Sequence, residues 1–399
     1  MITLCRSCKS SLLAPILSLG DQYLSDFRSD NKKPPQYPID VVMCKACSLL
    51  QLRETTPPSD MYHDRYGYYS GVNQTMRDHH KGIVDGVMKA IKLEKGDVVV
   101  DIGSNDGTLL KNYPTNLVRV GFDPVSKFAS CYGGTNITFV NDYFNKDAYP
   151  LTKKAKVITA ISMFYDLEEP NTFVHDLCEM LEENGLIVIQ QNYLAEMLRQ
   201  NAVDNICHEH LEFYSLKSMQ ALLKRHGLVI VDVEVNDLNG GSFRTYIGKD
   251  HGQSASDRVR SMLEREEAEE LDNEQTYHSF ANRIASIKNE LNTFIAGVKA
   301  KGKSVYVYGA STRGNTLLQY CGLDATQITA AVERNPEKWG KKIASSGIPI
   351  ISEEQARAEK PDYFLILPWF FKDEFIKREK KYLDNGGHLI FPLPTVEII

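Results

Sequence analysis

The chain has 399 residues, 42% of them hydrophobic and 25% charged, a balance that fits a globular protein of two or three domains and argues against disorder. Net charge is −6 with Lys and Arg scattered, so nucleic acid is not the expected partner. No stretch approaches the roughly 18 apolar residues of a membrane span, and the first residues show no signal-peptide pattern, so the expected location is cytoplasmic, away from membranes.

The first segment, residues 1–60, is polar and short of apolar runs, so it needs something other than a core to hold it together. Two Cys-x-x-Cys pairs supply it: Cys5 with Cys8, and Cys44 with Cys47. Each pair brings two sulfurs onto one tight turn, and four thiolates suit a tetrahedral Zn²⁺. Four thiolates leave no open position for water, so a structural zinc is expected rather than a catalytic one. The segment closes in a turn-like Thr55-Thr56-Pro57-Pro58-Ser59 stretch.

Residues 61–253 read as a second domain. Met76, His80, Ile83, Val84, Val87, Met88 and Ile91 recur at helical spacing and predict one apolar helix face. Strands are predicted at 97–101, 118–122, 155–160 and 185–189, with a helix over 173–182, an alternation that implies a mostly parallel sheet covered by helices. The turn Asp101-Ile102-Gly103-Ser104-Asn105-Asp106-Gly107 follows the first of these strands. It lacks the Gly-x-Gly-x-x-Gly of a pyrophosphate cradle, and Asp101 and Asn105 instead offer polar groups to an aminoacyl, sulfonium-bearing ligand. Asp123, about 20 residues on, ends the second strand where a carboxylate can accept both ribose hydroxyls. Asp142 and Tyr143 fall where an adenine would meet a carboxylate and an aromatic face. Together these features are similar to the S-adenosylmethionine site of class I methyltransferases.

Cys207-His208-Glu209-His210 packs two imidazoles and a carboxylate into one short segment. It lacks the His-Glu-x-x-His spacing of zinc hydrolases, and it suits general acid–base work, with His210 as base and a neighbouring carboxylate setting its basicity and orientation. Residues 254–399 begin with charged text that predicts one or two exposed connecting helices up to about residue 301. Strands at 304–309, 328–332, 363–367 and 388–391 then predict a second doubly wound domain. Its first turn carries Gly309, Arg313 and Asn315, which could hold a diphosphate.

Read in order, the Cys pairs, Tyr66-Gly67-Tyr68-Tyr69-Ser70-Gly71, the Asp101–Gly107 turn, His208-Glu209-His210, Gly240-Gly241-Ser242-Phe243-Arg244 and Tyr308–Thr316 span essentially the whole chain. The series resembles the sugar C-methyltransferases that make branched deoxysugars. The resemblance implies an α/β architecture of three parts: a small zinc domain (1–60), a class I methyltransferase domain (61–253), and a helical connector with a C-terminal Rossmann-like domain (254–399). It implies S-adenosylmethionine as cofactor and a nucleotide-diphosphate 4-keto-6-deoxyhexose methylated at C-3. It also implies catalytic roles for His210, Glu209 and Tyr66, and substrate contacts from His208, Asn239, Arg244, Arg313 and Asn315. Two positions depart from the family: Cys207 stands where a tyrosine is usual, and Asn239 where a histidine is common before Gly-Gly-Ser.

Two other readings remain open on sequence. A nucleotide-sugar oxidoreductase would have Rossmann-like halves but should show Gly-x-Gly-x-x-Gly after a strand. A non-catalytic, zinc-bearing sugar-nucleotide binding protein would not need Asp123 and His210 beside a cofactor turn. Oligomeric state, nucleotide base and sugar stereochemistry are not encoded legibly.

Overall fold

The computed structural model describes residues 1–61 and 69–399; residues 62–68, and with them Tyr66, lie outside the described set. Three larger sheets and one two-stranded sheet organise the described residues. The first takes β1 (Leu13–Tyr23), β3 (Gln36–Cys44) and β4 (Leu50–Leu52), all antiparallel, while β2 (Phe27–Arg28) leaves it. Its fourth strand, β10 (Glu212–Phe213), comes from the second domain and pairs Glu212 with Gln51 and Phe213 with Leu50. The zinc segment is therefore stitched directly to the strand that follows His208-Glu209-His210.

The second sheet contains β5 (Val98–Ile102), β6 (Val118–Phe122), β7 (Ile137–Val140), β8 (Ala155–Ile161), β9 (Leu181–Asn192), β11 (Leu228–Asn236) and β12 (Ser242–Lys249). Their order is β7-β6-β5-β8-β9-β12-β11, parallel except for β12, which runs antiparallel to both neighbours. This is the class I methyltransferase arrangement expected from sequence. The strand order reverses between β5 and β8, which opens a ligand crevice at their carboxyl ends. Val98, Val99 and Val100 are each buried on both faces, as a central parallel strand requires.

The helix over Gln74–Ala90 starts where Asn73 accepts from the Thr75 amide (2.9 Å). It buries His80, Ile83, Val84 and Val87, while Met88 is turned to solvent. The turn after β5 yields only a short 3₁₀ segment, Leu110–Asn112, in place of the expected helix. Pro114 follows at once and disfavours helical continuation. The helix expected over 173–182 spans Pro170–Met180.

The third sheet holds β13 (Val305–Tyr308), β14 (Ala331–Glu333), β16 (Ile350–Ser352), β17 (Tyr363–Ile366), β18 (His388–Phe391) and β19 (Glu397–Ile398), in the order β16-β14-β13-β17-β18-β19. β14 starts later than the run 328–332 suggests. The remaining strand, β15 (Lys342–Ile343), pairs with β2 and ties the last domain to the first. The connector contains helices Asp257–Ala268 and Glu274–Ala300. The longer one is not merely an exposed connector. Its charges conceal a stripe of Tyr277, Phe280, Ile284, Ile287, Leu291, Ile295 and Val298, which is buried. No described helix is long and apolar enough to cross a membrane.

Candidate active site and metal centre

Cys5, Cys8, Cys44 and Cys47 converge, with all four sulfurs within 4.8 Å of one another. Cys5 to Cys47 is 3.6 Å and Cys8 to Cys44 is 3.4 Å. Zn–S bonds of about 2.3 Å in a tetrahedron would hold sulfurs roughly 3.8 Å apart, so the donor set fits Zn²⁺. Each knuckle is closed by a backbone bond, Lys9 N to Cys5 O and Ser48 N to Cys44 O, with Lys9 and Ser48 at positive φ. Gln51 Nε2 donates to Cys5 Sγ (3.2 Å), while its Oε1 accepts from the Arg6 amide (3.0 Å). Since Gln51 also pairs with Glu212, the metal knuckles and the His-Glu-His segment share one rigid frame.

A cavity of about 310 Å³ opens at the carboxyl ends of β5, β6 and β8. Asp101, Gly103, Asn105, Asp123, Asp142 and Tyr143 all line it, so the structure brings together every residue expected there from sequence. Gly103 sits at φ +70, and a Cβ on it would come within 3.1 Å of Met163. Asp123 Oδ2 accepts from the Asn105 amide and Oδ1 from the Val125 amide, each at 2.9 Å. Those two bonds fix the carboxylate across the mouth of the turn and leave each oxygen a lone pair for a ligand hydroxyl. Asp101 is held by Thr159 Oγ1 (2.5 Å), and burial pushes its carboxyl up to about 7. Thr55, Thr56, Pro58 and Met61 form a further wall, so the stretch that reads as a simple turn also covers the cavity.

The His-Glu-His segment runs past this cavity toward the third sheet. Leu211 lines the cavity, and the His210 ring packs on Tyr165 with centroids 4.3 Å apart, beside the lining residue Asp166. His210 itself is not in the described cavity wall. Its Nδ1 lies 2.7 Å from Asn205 O, which places the proton on Nδ1 and leaves the Nε2 lone pair free. Burial and the Arg313 charge push the imidazolium down to about 3. This corrects the sequence reading: the backbone carbonyl of Asn205, not an adjacent carboxylate, orients His210, and its basicity is lowered. Glu209 turns instead to the Thr312 side chain, and burial pushes its carboxyl up to about 7.

The expected substrate contacts divide. Arg313 is paired with Asp204, Nε at 2.9 Å and a terminal nitrogen at 2.7 Å, and donates to Asn239 O at 2.7 Å. Asp204 is 1% exposed and also accepts from Trp369 Nε1 (3.2 Å). Arg313, Asn239 and the His210 segment therefore meet at one seam between the second and third sheets. The other three lie elsewhere. His208 Nε2 meets Tyr37 O (3.1 Å) on the zinc-domain side. Arg244 is held by Gln190 (3.0 Å) and Glu234 (3.2 Å). Asn315 is buried against Ser345 and the Tyr23 carbonyl. Each is satisfied by partners remote in sequence, which no local motif reveals.

A family model described as a C-methyltransferase C-terminal domain matches residues 237–394, a methyltransferase domain model matches 76–233, and a zinc binding domain model matches 5–62. The C-methyltransferase NovU of Streptomyces niveus is 32% identical over 407 residues, covering 99% of this chain and 96% of that protein. The chain belongs to this C-methyltransferase family. Looser likenesses in shape run to the complex of the Haloferax volcanii Trm112 activator with a methyltransferase, at 17% identity, 45% of this chain, 93% of that one and a TM-score of 0.38. An S-adenosylmethionine-dependent methyltransferase of Clostridium acetobutylicum gives 11%, 45%, 93% and 0.35. The fold assignment rests on the strand order, not on these.

The C-methyltransferase is S-adenosylmethionine-dependent and carries structural zinc in its four-cysteine cluster. Sequence reasoning missed Asp204 and Thr159, which hold Arg313 and Asp101. Neither carries a motif, and only the signal of a lone polar residue inside apolar text could have pointed to them. Cys207 is 1% exposed, and burial pushes its thiol well up, as for a thiol packed among apolar side chains.

Proposed function

We propose that this C-methyltransferase methylates C-3 of a nucleotide-diphosphate 4-keto-6-deoxyhexose in the cytoplasm. A sugar C–H becomes acidic enough to methylate only beside a carbonyl. A 4-keto group therefore calls for a base at the neighbouring carbon and hydrogen bonds to the enolate oxygen. Bound S-adenosylmethionine supplies the electrophilic methyl group. Asp101, Gly103, Asn105, Asp123, Asp142 and Tyr143 are assigned to hold it, and His210 Nε2 to take the proton. Glu209, held by Thr312, is assigned to the sugar hydroxyls, and Tyr66 as the enolate's donor. Asn239 and Arg313 are assigned to border the sugar nucleotide at the seam, and His208, Arg244 and Asn315, held by partners elsewhere, are assigned no direct contact, within the division 1–60, 61–253 and 254–399.

His210 is a weak base in the free protein, first because it is buried and second because the Arg313 charge stands beside it. The observation that carries the reading is the juxtaposition of the Asp101–Asp123 cavity with the segment bearing Glu209 and His210. Incubation with a panel of nucleotide-linked 4-keto-6-deoxyhexoses should give a mass gain of one methyl, with carbon NMR placing it at C-3. A methyl at C-5, the other carbon flanking the ketone, would contradict the position. No transfer to any member of the panel would contradict the substrate class.

A further inference from the structure

The wall of the 310 Å³ cavity is unbalanced. Asp101, Asp123, Asp142, Asp166 and Glu168 line it, and among the described lining residues there is no Lys or Arg. S-adenosylmethionine suits this wall at its sulfonium, its amino group and its ribose, but it also carries an α-carboxylate. That carboxylate needs a donor once water is displaced, because an unpaired buried charge is costly.

Most backbone amides of the turn after β5 are already taken. Gly103 N and Ser104 N both donate to Phe122 O, Asn105 N to Asp123, and Gly107 N to Ser104 O. The amides of Ser70 and Gly71, opposite, are given to Asn105 Oδ1 and Asp106 Oδ2. These six amides, a usual source of anion binding at such turns, are spent on the protein itself.

His80 is the one basic side chain among the described lining residues. It is fixed on the helix Gln74–Ala90, is 8% exposed, and its Nδ1 is buried with no hydrogen-bond partner among the described residues. Its neighbour differs: His79 Nε2 lies 2.7 Å from the Gln190 amide. Nδ1 is covered by protein and not open to the cavity, so the ring must turn about its Cβ–Cγ bond to present a nitrogen there, and a buried nitrogen without a partner gains a hydrogen bond by doing so.

We propose that His80, the one basic side chain in this wall, binds the α-carboxylate of the cofactor through a ring N–H that such a turn presents. The inference rests on reading this cavity as the cofactor site. Sequence periodicity conceals the role, because His80 falls in register with the apolar face of its helix. Burial lowers the basicity of His80 in the free protein, while Asp106 opposes that. A bound carboxylate would favour the protonated ring further.

Two ligands separate the claim from its parent. S-adenosylhomocysteine has the aminoacyl arm, and 5′-methylthioadenosine keeps the adenosine and sulfur but lacks it. Calorimetry should show His80→Ala binding S-adenosylhomocysteine about 10- to 100-fold more weakly, the loss typical of a charge-assisted hydrogen bond. Binding of 5′-methylthioadenosine should be unchanged, and His80→Asn, which keeps a donor near the Nδ1 position, should recover most of the loss. In the unaltered protein the His80 ring nitrogen resonances should shift with S-adenosylhomocysteine and not with 5′-methylthioadenosine, a readout that stands even where His80→Ala fails to fold. Equal losses for both ligands, no loss for either, or no ring response would overturn the proposal. A wild-type protein that binds neither ligand would overturn the cofactor-site reading itself.

Discussion

The two parallel sheets share a topology and do opposite things with it. In each, the strand order reverses beside the first strand, and a glycine-containing turn follows. At β5 the turn is open: its carboxylates line a 310 Å³ cavity together with His80 of the helix Gln74–Ala90. At β13 the corresponding turn is closed on the protein. Ala310 N is given to Glu333 Oε2 (3.1 Å), Lys338 Nζ reaches Ala310 O (2.7 Å), Arg313 is paired with Asp204, and Asn315 is buried against Ser345. Trp369, at the end of β17, packs where a Cβ on Gly240 would come within 2.9 Å. A doubly wound sheet therefore offers a site only where its polar groups are left unspent. The third sheet has used its own to clamp itself to the segment around Asp204 and His210.

That contrast predicts different failures for charged residues at the two turns. Arg313→Ala should cost about 3–5 kcal/mol of stability, because it leaves Asp204 buried without its counter-ion. Urea unfolding measures this, and Arg313→Ala with Asp204→Asn should recover part of it. Affinity for S-adenosylhomocysteine should hold. If Arg313→Ala is as stable as the wild type, the clamp is not one.

Asp123→Ala should do the reverse. Loss of charge-assisted bonds to ligand hydroxyls should weaken S-adenosylhomocysteine by about 1–3 kcal/mol in calorimetry. Unchanged affinity would remove Asp123 from the site.

A smaller effect distinguishes the seam between the sheets by pH. His210 is pushed down to about 3 from an ordinary value near 6.5. Its native-state proton affinity is thus depressed, so its contribution to stability is present above about pH 6.5 and lost as pH falls toward 3. The loss runs at about 1.4 kcal/mol per pH unit across that window. The stability difference between wild type and His210→Asn should shrink by about 2 kcal/mol between pH 6.5 and 5. A pH-independent difference would mean that His210 is not desolvated as the structure has it.

What sequence could show follows the same division. The cysteine pairs and the Asp101–Asp123 set were legible because their geometry is local: two residues on one turn, or one residue at the end of each adjacent strand. The fate of Arg313 was not, because its partner Asp204 lies 109 positions away. The Glu274–Ala300 helix was read as exposed because charges on its outer face hide a regular apolar stripe. His80 was read as core for the opposite reason, since helical register cannot tell a packed ring from one that faces a cavity. The zinc sheet's fourth strand, two residues long, was too short to leave any periodicity.

The central claim is that His210 opens the C–H bond next to the sugar ketone. Solvent deuterium exchange at C-3 of the keto-sugar, followed by proton NMR with S-adenosylhomocysteine bound so that no methyl can transfer, tests it directly. The account predicts exchange in the wild type and loss of about a hundred- to ten-thousand-fold in His210→Ala, with both ligands still bound. Exchange in His210→Ala as fast as in the wild type would contradict it.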